Sequence, residues 1–428
     1  MNRIMALVLV VAWAGTANSG AAERRPARSV IEIWVWGGPS QLETFDPKPA
    51  ADKAYNNGLK AIPTNVPGIA ISELLPKLAQ QADKYSIIRT MTHPHRGHET
   101  ATYLMQTGRE PGGGKVYPAI GAVIAMFKAK DYQGDIPPYV ILTVPKGRFS
   151  EIGFLSEEYA PLVTGGNPSQ ARFIVDGIVP PGGLTPEEMA QRFDLLSALD
   201  TFGRLPAPGT GTGAEAPVLA AFQAAGAQAR KVIEGDAAKV FDLSLESAEM
   251  RSRYGWNPVG QSCLTARRLV ESGVPYITIN AQGWDSHKRH FETMKQRTAE
   301  MDQALATLLQ DLAEKDLLDT TIVWWTGEFG RGPKIDWEAP WNGGRNHYSK
   351  CFSALVAGGG FVGGKVVGES DAVAGEVVSR PVAPQDMLGS LYELCGINPD
   401  GPLPNPIGLQ TTILPPASPA GRLRELYR

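Results

Sequence analysis

The run T-T-I-V-W-W-T at 320–326 constrains this chain most: it is β-branched and aromatic, and it stops abruptly at Gly327. A short continuous apolar run bounded by turn residues suits a strand buried on both faces of a parallel or mixed sheet. Directly beyond it stand a carboxylate, Glu328, and a cation, Arg331. Sixteen residues past the arginine, His347 leads into a second apolar run at 351–357. Acid, base and imidazole gathered at buried strand ends are how open α/β sheets build ligand sites. The stretch therefore reads as half of an active site, and its mixture of imidazole and carboxylate as a metal site.

The same grammar recurs along the chain. A strand at 30–36 (V-I-E-I-W-V-W) ends at Gly37-Gly38-Pro39 and opens a polar loop with Ser40, Glu43 and Asp46. A solvated Glu43 and a simple turn at Asp46-Pro47 explain that loop as well as a functional role does. Leu74, Leu75, Leu78 and Ala82 share one face of an amphipathic helix predicted over 72–84, and 85–91 returns as a strand, giving a βαβ unit. Beyond it, T-H-P-H-R-G-H-E gathers His93, His95 and His98 around Arg96. Three of the chain's six histidines thus fall at a strand-to-helix junction, where a helix N-terminus favours an anion. A helix over 117–128 and a strand over 139–143 follow. After a helix at 262–272, the strand 274–280 runs into Asp285 and His287, and a helix over 293–315 leads back to 320–326. A last helix spans 385–395.

Bulk properties narrow the function. At 428 residues with a formal net charge of -3, the chain lacks the basic excess of a nucleic-acid binder. Arg3, the apolar 4–14 segment and the small residues at 17–22 predict a signal peptide over 1–22, with an uncleaved anchor as the alternative. No other stretch is apolar for about twenty residues, so export to the periplasm or beyond, without a membrane span after cleavage, is expected. Residues 23–428 read as one domain, with 146–254 an insertion or cap that contains a low-complexity loop at 206–217. Cys263, Cys351 and Cys395 are odd in number and widely spaced, so buried free thiols are expected, one disulfide remaining open.

Asp285, His287 and His347 with Glu328 would hold one divalent metal ion, zinc, calcium or manganese. Such an ion activates water and neutralises an oxyanion. Arg96, Arg109, Arg331 and Arg345, with His93 and His95, would bind a phosphate or sulfate ester, since guanidinium pairs bidentately with tetrahedral oxyanions. Any one arginine alone is more simply a surface salt bridge.

Four motifs together resemble a bacterial family catalogued as domain of unknown function 1501, similar in fold to sulfatases and alkaline phosphatases. They are G-G-P-S-Q-x-E-T-F-D-P-K-P from Gly37, G-W-D-S-H from Gly283, G-E-F-G-R from Gly327 and G-R-N-H from Gly344. The resemblance implies a three-layer α/β/α sandwich with a mixed central sheet, alkaline phosphatase-like. It also implies Asp285, His287 and His347 as metal ligands, and Glu43 or Asp46 as the acid after the first strand. The stretch from His98 to Arg109 is similar to the sulfatase segment that begins at the nucleophile, but His98 stands there in place of cysteine or serine. Glu328-Phe329 stands where an Asp-His pair is expected. Ser40, Thr100 or water would then be the nucleophile, Glu328 a fourth ligand or general base, and His98 a group orienting the oxyanion. The expectation is an exported hydrolase of an anionic small-molecule or glycan ester; the alternative is a non-catalytic protein that binds anionic glycans.

Overall fold

In a computed structural model, the chain is described over 25–145, 151–170, 184–199 and 235–428, with positions 173, 175, 178, 226, 227 and 230–233 between them. The expected signal peptide at 1–22 and the loop at 206–217 lie outside the described residues.

Eight strands form one sheet: β1 (Ser29–Val35), β2 (Tyr85–Met91), β3 (Tyr139–Leu142), β4 (Leu162–Val163), β5 (Tyr276–Ala281), β6 (Thr321–Thr326), β7 (Phe352–Ala357) and β8 (Lys365–Val367). Their order across the sheet is β8-β2-β7-β6-β1-β5-β3-β4. Neighbours pair in parallel except β7, which runs against both β6 and β2, so the sheet is mixed as expected. Every residue of β1, β5, β6 and β7 is buried, which is why these strands read as mainly apolar runs without a polar alternation, Glu32 in β1 being a buried exception.

Strand alternation sends successive side chains of β1 into two different cores. Ile31, Ile33 and Val35 join one cluster, with α3 (Pro258–Glu271) and α4 (His290–Glu314) packed over it. Val30 and Trp34 join the other, under α1 (His98–Thr107), α2 (Ile120–Ala129) and α5 (Pro384–Leu394). Helices on both faces make a three-layer α/β/α sandwich. The apolar stripe expected on the long helix is buried: Met301, Leu305, Leu308, Leu309 and Leu312 all belong to the first of these clusters.

The helix expected over 72–84 does not form as such. Ala70–Ser72 is a short strand paired with Ala61–Pro63, and only Leu78–Lys84 coils, as a 3₁₀ helix. Pro76 removes a donor and disfavours helical backbone at Leu75, so a continuous α-helix cannot cross it. Asp302 of α4 then caps the late start, accepting from the backbone N–H groups of Lys77 (3.0 Å) and Leu78 (2.7 Å). The βαβ reading changes accordingly: β1 and β2 point the same way, but β6 and β7 lie between them. All three cysteines are free and buried.

Candidate metal centre

The parallel strands all end at one edge of the sheet, and β7 begins there. His93 to His98 follow β2, Gly37 follows β1, Asp285 and His287 follow β5, Glu328 follows β6, and His347 precedes β7. The shared strand direction therefore gathers residues that are hundreds of positions apart in sequence.

Gly37 and Gly38 set the floor. Both have positive φ, +110° and +79°, and a Cβ on Gly37 would run into the Asp285 backbone. The chain can turn this tightly against the Asp285 loop only because neither residue has a side chain. The N–H of Gly37 donates to Glu328 Oε1 at 3.0 Å.

Three imidazoles converge on Asp285. His287 Nε2 and His347 Nε2 each lie 3.1 Å from Asp285 Oδ1, and His98 Nε2 lies 3.3 Å from Oδ2. The Nε2 atoms of His287 and His347 are themselves 2.9 Å apart. Two ring nitrogens this close repel unless a proton or cation lies between them. Ligands on a tetrahedral ion with bonds of ~2.0–2.1 Å sit roughly 3.3–3.4 Å from one another, close to the separation of each ring from Asp285. Donor atoms of His98, Asp285 and His347 all fall within 4.8 Å of one another. The centre is open to solvent: the Asp285 side chain is 39% exposed.

The rings are also held from behind. His98 Nδ1–H donates to Glu328 Oε1 at 2.6 Å, and His347 Nδ1–H donates to the carbonyl of Arg96 at 2.8 Å. Each anchor turns its ring so that Nε2 faces Asp285, as outer partners of metal-ligating histidines do. Asp285 is oriented by Arg331 Nη2 at 2.6 Å. Although partial burial opposes its charge, hydrogen bonds from His347, His98 and Arg331 hold its carboxyl well below the usual range. For His98, burial works against the charged ring, but its bonds to Asp285 and Glu328 prevail and push it up to about 9.

Several expected roles change. Glu328 is buried behind His98 rather than beside Asp285, so it braces a donor instead of joining the cluster, and its Oε2 is left without a hydrogen-bond partner. His98, expected at the oxyanion, takes the fourth place around Asp285 instead. Arg331 and Arg345 are buried, so neither guanidinium faces a ligand in solvent. Arg331 is spent on Gly37 O, Gly38 O (3.1 Å) and Asp285; Arg345 on Glu43, Tyr55 O and the carbonyls of Gly332 and Pro333. Ser40 is fully buried next to Glu43, out of reach of a substrate. His93 is buried too, with Nε2–H donating to Glu328 O at 2.6 Å; burial pushes its pKa down to about 4 and keeps it neutral.

Of the remaining expected contacts, His95 pairs with Glu110 at 2.5 Å. Arg109 ties down the tail through Thr411 and Thr412. Arg96 is exposed, with its guanidinium over the Tyr348 ring. Asp46 joins Lys48 at 3.0 Å and Arg89 at 3.5 Å, fixing the loop after β1 to β2. Lys288, which sequence reasoning passed over, is exposed beside His287; a cation next to a donor histidine was its only signal.

The family model described as "Protein of unknown function (DUF1501)" matches residues 27–418, and the chain belongs to that family. No curated protein matches it in sequence. Among solved structures it is similar to Ps i-CgsB in complex with k-i-k-neocarrahexaose, at 12% identity over 88% of this chain and 73% of that one, with a TM-score of 0.41. It is also similar to a protein in the alkaline phosphatase superfamily from Vibrio parahaemolyticus (10% identity, 88% and 68% covered, TM-score 0.40). A third is alkaline phosphatase from the Antarctic bacterium TAB5 (10%, 87% and 99%, TM-score 0.39).

Proposed function

We propose that the chain is a metal-dependent hydrolase of phosphate or sulfate esters. The observation that carries this reading is the convergence of three imidazole Nε2 atoms on one carboxylate, two of those rings being anchored through Nδ1. Three nitrogens and one oxygen favour zinc over calcium, which prefers an all-oxygen shell. When bound, such an ion supplies Lewis-acid charge to the ester oxygens and makes water a nucleophile at neutral pH.

The chain's own residues do the rest. His98, Asp285, His287 and His347 would hold the ion, and Glu328 and the Arg96 carbonyl keep the His98 and His347 rings turned toward Asp285. The exposed side chains of Arg96 and Lys288 attract and orient the ester anion from the rim. Ser40 is buried, Thr100 donates to Gly97 O at 3.1 Å, and the cysteines are buried, so water fits the nucleophile's part better than a side chain does. Export is part of the same proposal and rests on the sequence at 1–22; no described helix is long and apolar enough to cross a membrane.

The test is turnover of a panel of phosphate and sulfate esters by the purified protein, stripped with chelator and reloaded with Zn²⁺, Mn²⁺ or Ca²⁺. Activity should return with Zn²⁺ and be lost in Asp285→Ala and His347→Ala. Activity that survives chelation, or is unchanged in both variants, would contradict the reading.

A further inference from the structure

Glu43 lies outside the donor cluster, yet it is the point where the loops carrying the donors meet. It is fully buried, and both oxygens are engaged: Oε1 with Arg345 Nη2 at 2.9 Å, Oε2 with His290 Nε2 at 3.1 Å. His290, also fully buried, turns its other nitrogen to Ser286 Oγ at 2.7 Å. Ser286 sits between Asp285 and His287 in the chain, so fixing its hydroxyl fixes the backbone between two donors. On the other side, Arg345 precedes His347 by two residues, and its carbonyl accepts from Arg331 Nη1 at 3.2 Å. Arg331 in turn reaches Asp285 Oδ1.

We propose that Glu43 is a positioning carboxylate for the metal centre, setting the spacing between the Asp285–His287 loop and the His347 loop without touching the ion. This rests on the metal reading above. The two loops approach so closely that a Cβ on Gly344 would strike the His287 carbonyl, and the backbone N–H of His290 donates to Gly343 O at 3.2 Å. Glu43 bridges them, with one oxygen on each partner. Arg345 and His290 both present donors to Glu43, and a carboxylate accepts on both oxygens, whereas a carboxamide would set its NH₂ against one of these donors. The charge is in place: burial opposes it, but Arg345 and His290 hold the Glu43 carboxyl down to about 2. Burial also pushes the His290 pKa down, so the neutral ring donates from Nε2 to Glu43 and accepts at Nδ1 from Ser286.

The experiment is a chelator-competition titration of Zn²⁺ into the stripped full chain, paired with the visible spectrum of the Co²⁺-loaded protein. Glu43→Gln and Ser286→Ala are compared with wild type, and Glu32→Gln, a buried carboxylate on the other face of the sheet, serves as control. Glu43→Gln and Ser286→Ala should each weaken Zn²⁺ binding by roughly 10-fold or more, the range seen when outer-shell partners are lost. Both should alter the Co²⁺ bands, Glu43→Asp should recover part of the loss, and Glu32→Gln should match wild type. Wild-type affinity and spectrum in Glu43→Gln would overturn the proposal; if that variant does not fold, the same result in Ser286→Ala would do so. Absence of Zn²⁺ binding by wild type itself would instead remove the metal reading, and this inference with it.

Discussion

Replacing Glu32 with Gln should make the protein more stable at neutral pH while leaving it nearly unchanged in acid. Glu32 lies mid-strand in β1, wholly buried, and accepts from Gln106 (2.6 Å), Thr278 (2.8 Å) and Tyr276 (3.2 Å). Burial dominates these bonds and lifts its pKa from an ordinary 4.5 to about 7. Below the unfolded value both states are protonated, and the buried carboxyl carries no charge penalty. Between the two values only the folded state holds the proton, so stability falls as pH rises. Above about 7 the folded chain bears the whole cost of a buried charge, about 3 kcal/mol at about 1.4 kcal/mol per pH unit. A glutamine keeps an acceptor for Thr278 and Tyr276, and Gln106 can turn its unpartnered Oε1 to the new amide. Denaturant unfolding at pH 4.5, 6 and 8 gives the difference between variant and wild type, in which other titrating groups cancel. The difference should grow with pH in favour of the variant. A constant difference, or one that grows in favour of wild type, would refute the argument.

Glu328→Gln should weaken Zn²⁺ binding 10- to 100-fold without abolishing it, because Glu328 braces His98 from behind; complete loss in a metal titration would make it a ligand. Arg345→Met should cost about 3–5 kcal/mol in chemical denaturation by stranding the Glu43 charge, and adding Glu43→Gln should recover part of that, whereas additive losses would deny their coupling. Lys288→Ala and Arg96→Ala should raise KM for an anionic ester, more at low salt than at high, with little change in kcat; a salt-independent change confined to kcat would argue against a rim role.

The fold was largely legible because its signals are local. The run 85–91 is a strand with the bounds expected, and 320–326 differs from β6 by one residue. The helix over 72–84 failed where Pro76 and a cap from Asp302, far along the chain, outweighed a good apolar pattern. At the site, Asp285, His287 and His347 could be singled out because acid and imidazole follow or precede buried runs. Which side chains share a centre depends on how strand ends meet, and spacing does not carry that. His98 comes within reach of Asp285 across 187 positions, while Arg331 and Arg345 look like surface cations in the sequence and are buried in the fold.

X-ray absorption at the zinc edge of the loaded protein reads the proposed centre of His98, Asp285, His287 and His347 ligand by ligand. The spectrum should show one ion per chain with three imidazole nitrogens and one carboxylate oxygen at ~2.0–2.1 Å, and one imidazole fewer in His98→Ala. A protein that retains no ion, or an ion in an all-oxygen shell unchanged by His98→Ala, would contradict it.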